Sequence, residues 1–206
     1  MSQSVSVTID QQPKPQTANA ALVNISGRQR MLSQRAAMFC LMLANSGSPE
    51  ERKNLKERLR HVIGLMESAH ESLIYGNAEL SLPSQRSAAI SAMYFDPPFN
   101  VDQKIRAYIA TIRTFLQLPD AEIMPANSLL RGITHGASEQ LLPALDAVVA
   151  QYQQESEAAQ TEIQKQRVRL YKERCVAAEE AQKSAAQAQE MPVSYTHLTL
   201  PTKRIV

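Results

Sequence analysis

The chain has 206 residues, enough for one domain with a substantial core, and its net charge of +2 argues against general nucleic-acid binding. Six glycines, no tryptophan and many Ala, Gln, Leu, Glu and Arg residues favour helix over sheet. Cys40 and Cys175 are far apart in predicted helices, so they indicate neither a disulfide framework nor a metal site. No apolar run reaches the length of a membrane span and the N-terminus lacks a signal-peptide core, so the sequence predicts a cytoplasmic protein.

The first two predicted helices follow a polar leader. Residues 1–17, rich in Ser, Gln and Pro, are predicted to be disordered. A first helix is predicted over residues 17–44, before a turn of Asn, Ser and Gly. Ser48 is expected to cap a second helix that has Pro49 at its first position and ends at Gly76.

The second half of the predicted domain contains two further helices. Residues 78–100 are expected to form an irregular connector with a short helix near 87–93, followed by a third helix over 101–118. The fourth helix is predicted to run unbroken over 127–189, and Pro143 must either kink it or lie where a neighbour tolerates the lost hydrogen bond.

These elements predict an all-α fold, an antiparallel four-helix bundle over residues 18–155 with a long C-terminal exit helix. Residues 156–190 are polar and free of Gly and Pro, which indicates a helical linker, solvated or weakly coiled, with a frayed tail as the alternative. Residues 191–206 change composition abruptly and resemble a translated sequencing adapter, so they are interpreted as a non-native tail. We therefore expect the natural protein to continue past residue 190 into an output domain that is missing here.

The most informative segment is residues 24–35, Asn-Ile-Ser-Gly-Arg-Gln-Arg-Met-Leu-Ser-Gln-Arg. One stripe of the first helix forms a core seam that is interrupted only by Gln29. A neighbouring stripe is apolar or small except for Arg30 and Gln34. An arginine in such a stripe is unfavourable unless it is paired, and residues 11–49 contain no acidic side chain. The missing negative charge could come from another helix or from a bound anion.

Gly27, one turn before Arg30, favours the second of these sources, a bound anion. A mid-helix glycine costs about 1 kcal/mol relative to alanine, so it is expected to permit close approach of another helix or of a small ligand. If this stripe forms a two-fold dimer seam, two Arg30 guanidinium groups about 6 Å apart repel by roughly 3 kcal/mol at an effective dielectric constant near 20. A flat oxyanion between them would replace that repulsion with two charge-assisted contacts. Solvated arginines, or arginines paired with Glu on a neighbouring helix, remain the alternative.

The same segment resembles the P-box of NarX-like nitrate sensors and the start of PilJ-type chemotaxis transducer N-terminal domains. The resemblance implies a four-helix bundle that dimerises through its first helix and holds an anion at the dimer axis. It also implies that the arginine three residues after the motif glycine binds the anion, which in this chain is Arg30 after Gly27, while Arg35 matches the closing arginine of the motif. Residues 141–146, Leu-Leu-Pro-Ala-Leu-Asp, resemble the last helix of PilJ-type domains.

The sequence therefore predicts a sensory input module that binds a nitrate- or nitrite-like oxyanion at a homodimer interface. Its last helix is expected to relay the bound state to an effector domain of kinase, chemotaxis or cyclase type. The predicted ligand-binding residues are Arg30 and Gly27, with supporting contacts from Asn24, Arg28, Gln34 and Arg35. The alternative is a ligand-free dimerisation or scaffold module.

The sequence indicates no enzyme and no cofactor. It contains no Gly-rich phosphate loop, nucleophile elbow or carboxylate pair. His61 and His70 are nine residues apart, on roughly opposite helix faces, and are interpreted as solvated or core-edge residues rather than metal ligands.

Overall fold

A computed structural model describes residues 15–190, with side chains over 19–187, and these residues fall into two units, 15–159 and 160–190. The helices, in chain order, are α1 (Pro15–Asn45), α2 (Pro49–Tyr75), α3 (Ala88–Phe95), α4 (Val101–Gln117), α5 (Ser128–His135) and α6 (Leu142–Glu190). A π-helical turn, Gly136–Leu141, lies between α5 and α6. Within the described residues there is no strand, and the connector after α2 contains a single isolated bridge between Asn77 and Leu82.

The first unit is a helical bundle, which confirms the predicted fold class. The long helices α1, α2 and α4 pack with the α5–π–α6 segment around one core, and the short link between α1 and α2 makes these two helices antiparallel. The short α3 lies in the connector between α2 and α4. The largest fully buried side chains come from four helices, α1 to α4, and are Leu32, Phe39, Leu43, Leu55, Leu59, Met66, Leu73, Ile90, Tyr94, Ile105, Ile112 and Phe115.

The ends of α2 follow from local chemistry and confirm the predicted caps. The Ser48 hydroxyl accepts a hydrogen bond from the Glu51 N–H at 3.4 Å, and Pro49 occupies the first turn, where no N–H is needed. At the other end, the Gly76 N–H donates to the Ser72 carbonyl at 3.0 Å with φ at 81°. A Cβ at Gly76 would also lie 2.7 Å from the Ser84 nitrogen, so both the backbone angle and the space require glycine.

The N-terminal boundary of α1 differs slightly from the prediction. Residues 15–17, expected at the end of the leader, are helical, and Pro15 is the first helical residue, a position that suits proline. The remainder of the predicted leader, residues 1–14, and the predicted non-native tail, residues 191–206, lie outside the described residues.

The segment predicted as one unbroken fourth helix is interrupted by the π-helical turn. In that turn the Leu142 N–H donates to the Ala137 carbonyl, five residues back rather than four. Pro143 follows directly and has no N–H of its own to donate. The backbone hydrogen bonds therefore change from four to five residues back directly before the residue that cannot donate one. The sequence pointed to Pro143, whereas the irregularity lies directly before it, at Gly136–Leu141.

In the second unit, residues 160–190 form a single polar helical stretch. Arg169 and Glu173, one turn apart, form an exposed ion pair at 2.9 Å. Four larger apolar side chains are exposed here, namely Val168, Leu170, Tyr171 and Val176. None of the helices that the structure describes is both long and apolar enough to cross a membrane.

Candidate ligand-binding site on the first helix

The inner face of the motif on α1 is tied to the bundle. Gln29 is fully buried, as the predicted core seam requires, and its Nε2 donates to the Met66 carbonyl of α2 at 2.8 Å. Its Oε1 is buried without a partner among the described residues. Tyr108 of α4 donates from its hydroxyl to the Ser33 carbonyl at 2.8 Å. These contacts fix the rotation of α1 about its own axis and therefore decide which residues face outward.

Arg30 lies at the border between α1 and the last helix of the bundle. Its Nη1 donates to Oδ1 of Asp146 on α6 at 2.5 Å. Both side chains are about half exposed, 44% for Arg30 and 47% for Asp146. The negative charge that α1 itself lacks thus comes from another helix, one of the two sources that the sequence left open.

Gln34, one turn after Arg30, reaches the same part of the chain. Its Nε2 donates to the Ala137 carbonyl, inside the π-helical turn, at 2.9 Å. Ala37, the next residue of this stripe, is buried. The two polar residues of the stripe, Arg30 and Gln34, therefore both connect α1 to the α5–π–α6 segment of the same chain. Only part of the stripe is available for contact with another molecule.

Gly27 has open space above it. A Cβ built on Gly27 meets no atom within 4 Å, and the residue is half-buried. Packing among the described residues therefore does not require glycine at this position. The space next to Arg30 is free for another molecule to approach the backbone.

The outward face of α1 is apolar and basic. Met31, Met38, Leu41 and Met42 are between 40% and 48% exposed. Asn24, Arg28 and Arg35 are also exposed on this helix, and the Arg35 guanidinium carbon lies 5.4 Å from the centre of the Phe39 ring. This face, called here the methionine face and defined by Met31, Met38, Leu41 and Met42, runs alongside the Gly27 and Arg30 stripe.

Asp146 is the residue at this site that sequence reasoning missed. It belongs to the Leu-Leu-Pro-Ala-Leu-Asp stretch that resembles the last helix of PilJ-type domains, but nothing local ties it to Arg30. The two residues are 116 positions apart. A charge survey of the predicted helices could have singled it out only as one of several acidic residues on the fourth helix.

A second polar cluster lies between α2 and α4. His70 is 2% exposed, and its Nε2 lies 2.7 Å from Oδ1 of Asp102, which also accepts a hydrogen bond from Nε of Arg106 at 2.8 Å. Burial lowers the pKa of His70, partly offset by the hydrogen bond with Asp102. Burial acts to raise the pKa of Asp102, but the hydrogen bonds from His70 and Arg106 prevail, and the pKa lies below its ordinary value.

The two histidines of α2 differ in environment, as their spacing indicates. His61 is exposed, whereas His70 is a buried member of the core edge. Within residues 15–190, no group of three His, Cys, Asp or Glu side chains is arranged to hold a metal ion.

The first helix of this all-helical bundle thus carries a half-exposed arginine beside an open glycine. A family model described as "Type IV pili methyl-accepting chemotaxis transducer N-term" (PilJ) matches residues 14–124, more than half of the chain. The chain therefore belongs to the PilJ family, as its motif indicated. No curated protein matches the chain.

A solved structure supports the same class. The chain is similar to the ligand-binding domain of the Pseudomonas aeruginosa nitrate receptor McpN, with 27% sequence identity and a TM-score of 0.50. The similarity covers 69% of this chain and 98% of the McpN domain. The protein is accordingly a chemoreceptor-type sensory ligand-binding domain, and both relatives are sensory domains rather than enzymes.

Proposed function

We propose that this domain senses a small oxyanion of the nitrate and nitrite class, held between two copies of Arg30 at the axis of a homodimer formed by α1. The observation that carries the proposal is the half-exposed Arg30 guanidinium beside the open backbone at Gly27. The McpN domain, similar over most of this chain, belongs to a nitrate receptor and supports this choice of ligand.

The methionine face supports a second copy of the chain as the partner of α1. Four large apolar side chains exposed on one helix are unfavourable in water and are typical of an interaction surface. Because α1 contains arginines and no acidic residue, two copies of this helix that pack through the methionine face would bring their arginines towards each other. An anion at the axis would neutralise the arginines where they approach each other.

The supporting residues have unequal positions in this proposal. Arg28, Arg35 and Asn24 are exposed on α1 and would contribute positive potential or polar contacts at the rim of the interface. Gln34 is hydrogen-bonded to Ala137, so its role would be to hold the Arg30 stripe against the π-helical turn.

The proposal extends to signal output. The bound state would pass through α6 to a downstream effector domain of kinase, chemotaxis or cyclase type. The cytoplasmic location stays a prediction from the sequence, as do the effector domain and the helical linker that would lead to it.

Calorimetric titration of the full chain with sodium nitrate and sodium nitrite, with sodium chloride as the control anion, tests the proposal. Wild type is expected to bind one nitrate per two chains, because the site lies on a two-fold axis. Arg30→Ala should weaken binding at least about tenfold, since a hydrogen bond to a charged group contributes about 1.5–3 kcal/mol. Arg30→Lys keeps the charge but not the planar fork, and should fall between the two.

Arg60→Ala is the matched control, because Arg60 is an exposed arginine of α2 and lies outside the motif. It should bind nitrate as wild type does. Unchanged binding by Arg30→Ala would contradict the site. Absence of binding by wild type, with a stable dimer, would instead favour the ligand-free dimerisation module.

A further inference from the structure

We propose that Asp146 is an intramolecular competitor for the oxyanion. Its carboxylate holds Arg30 in the ligand-free domain, and the bound anion displaces it. The inference rests on the proposed function of Arg30 and adds the regulation of that same site.

The chemistry of the pair suits competition. A carboxylate presents two oxygens in a plane to a guanidinium group, as nitrate does, so the two ligands use the same donors. The contact is a single hydrogen bond from Nη1 to Oδ1 at 2.5 Å. Within the described residues, Nε and Nη2 of Arg30 donate to no other group, so an anion that binds Nη1 and Nη2 together gains a second hydrogen bond that Asp146 does not make.

The exposure of the pair makes the exchange feasible. Because Arg30 and Asp146 are 44% and 47% exposed, ions reach both groups from solvent. Exposed ion pairs contribute little to stability, since water screens the charges and both side chains lose freedom. Displacing one Asp146 should therefore weaken the apparent affinity for an anion only about two- to fivefold, and displacing both at the dimer axis about four- to twenty-five-fold.

The exchange changes how α1 is joined to the last helix. Two side-chain contacts join the Arg30 stripe to the α5–π–α6 segment. One is the Arg30–Asp146 ion pair, and the other is the hydrogen bond from Gln34 to the Ala137 carbonyl. The anion removes the first contact and leaves the second, which lies in the π-helical turn. The first turns of α6 would then lose their polar link to α1 and keep their core packing, while the π-helical turn stays attached. Anion occupancy would in this way alter the helix that leads out of the domain.

Asp146→Asn tests this directly, because it removes the charge and keeps the shape of an exposed side chain. In calorimetric titrations of the full chain with sodium nitrate, Asp146→Asn should bind about four- to twenty-five-fold more tightly than wild type, because each site contains two Arg30–Asp146 pairs. Glu57→Gln is the matched control, since Glu57 is an exposed acid of α2 outside this site. It removes the same unit of charge and should bind as wild type does.

Hydrogen exchange followed by mass spectrometry gives a readout that does not depend on affinity. Saturating nitrate should speed amide exchange in wild-type peptides that cover residues 142–150. Asp146→Asn should exchange faster in these peptides without nitrate and should change little when nitrate is added. Peptides from α2 should be unaffected in both proteins.

The outcomes separate the two proposals. Equal or weaker nitrate binding by Asp146→Asn, with wild-type binding intact and dependent on Arg30, overturns the competitor role and leaves the oxyanion site standing. Binding by Asp146→Asn in the absence of detectable wild-type binding supports the competitor role in its strongest form. Failure of both proteins to bind nitrate overturns both proposals.

Discussion

Gln29 of α1 donates from Nε2 to the backbone carbonyl of Met66 in α2 at 2.8 Å, inside the bundle, where its side chain is fully buried. The other amide atom, Oε1, has no partner among the described residues. One buried polar group is thus half satisfied at the centre of the helix pair that carries the candidate site. A hydrogen bond and an unpaired acceptor have opposing effects on stability, and their sizes are comparable.

Replacing Gln29 with Met should therefore leave the stability of the domain nearly unchanged or raise it by about 1 kcal/mol. The variant loses a hydrogen bond that contributes about 0.5–1.5 kcal/mol and removes an unpaired oxygen that costs about 1–3 kcal/mol. Gln29→Ala leaves a cavity as well and should lower stability by about 2–4 kcal/mol. Urea denaturation followed by circular dichroism at 222 nm measures both. If Gln29→Met lowered the free energy of unfolding as much as Gln29→Ala does, the hydrogen bond would stabilise the domain by more than the unpaired oxygen destabilises it.

Met38→Glu should weaken self-association by at least about tenfold without lowering the stability of the monomer. Met38 belongs to the methionine face and is 47% exposed, so a charge there is solvated in the monomer and buried in a dimer formed by α1. Met124→Glu is the control, because Met124 has the same exposure of 47% and lies outside α1. Sedimentation equilibrium compares the two. Similar dimerisation constants for both variants would rule out the methionine face as the interface.

The stability of the domain should fall as the pH is lowered from 7 to 5, and His70 should account for much of the loss. Burial lowers the pKa of His70 in the folded chain, whereas in the unfolded chain it lies near its ordinary value of about 6.5. Below that value the unfolded chain binds more protons than the folded chain, so protonation favours unfolding. The lowered pKa of Asp102 acts in a separate window, because its contribution is lost only as the pH falls below about 4.

Urea denaturation at pH 7 and at pH 5 measures the loss of stability, and two variants of α2 test whether His70 is its source. The groups that face His70 are Asp102 and Arg106 of α4, Tyr94 of α3 and Glu71 of α2. His70→Gln should flatten the pH dependence between 7 and 5. His61→Gln, at the exposed histidine of the same helix, should leave it as in wild type. A flattened profile in the His61 variant would contradict the assignment.

The two cysteines should differ strongly in reactivity. Burial raises the pKa of the Cys40 thiol to about 12, so almost no thiolate is present at pH 8, and the side chain is inaccessible. Cys175 is partly exposed. Iodoacetamide at pH 8 should modify Cys175 in the native protein and modify Cys40 only after denaturation, as read by peptide mass spectrometry. Rapid native labelling of Cys40 would mean that α1 opens away from the core.

The positions of the helices and their buried faces could be predicted from the sequence because both depend on neighbours close in the chain. The Ser48 cap, the Gly76 stop and the core seam through Gln29 all arise from contacts or periodicities within a few residues. The motif around Gly27 and Arg30 is also local, and it was sufficient to indicate the PilJ family.

Only the tertiary structure decided what surrounds Arg30. Its partner, Asp146, is 116 residues away, and the pairing depends on how α6 packs beside α1 after the chain has turned three times. The same packing gives Gln34 the Ala137 carbonyl, and a π-helical turn directly before Pro143 stands where the sequence predicted an unbroken helix that Pro143 either kinks or leaves intact. Side-chain periodicity specifies the faces of one helix, but ion pairs between helices depend on the rotation and register of both, and no local pattern encodes these.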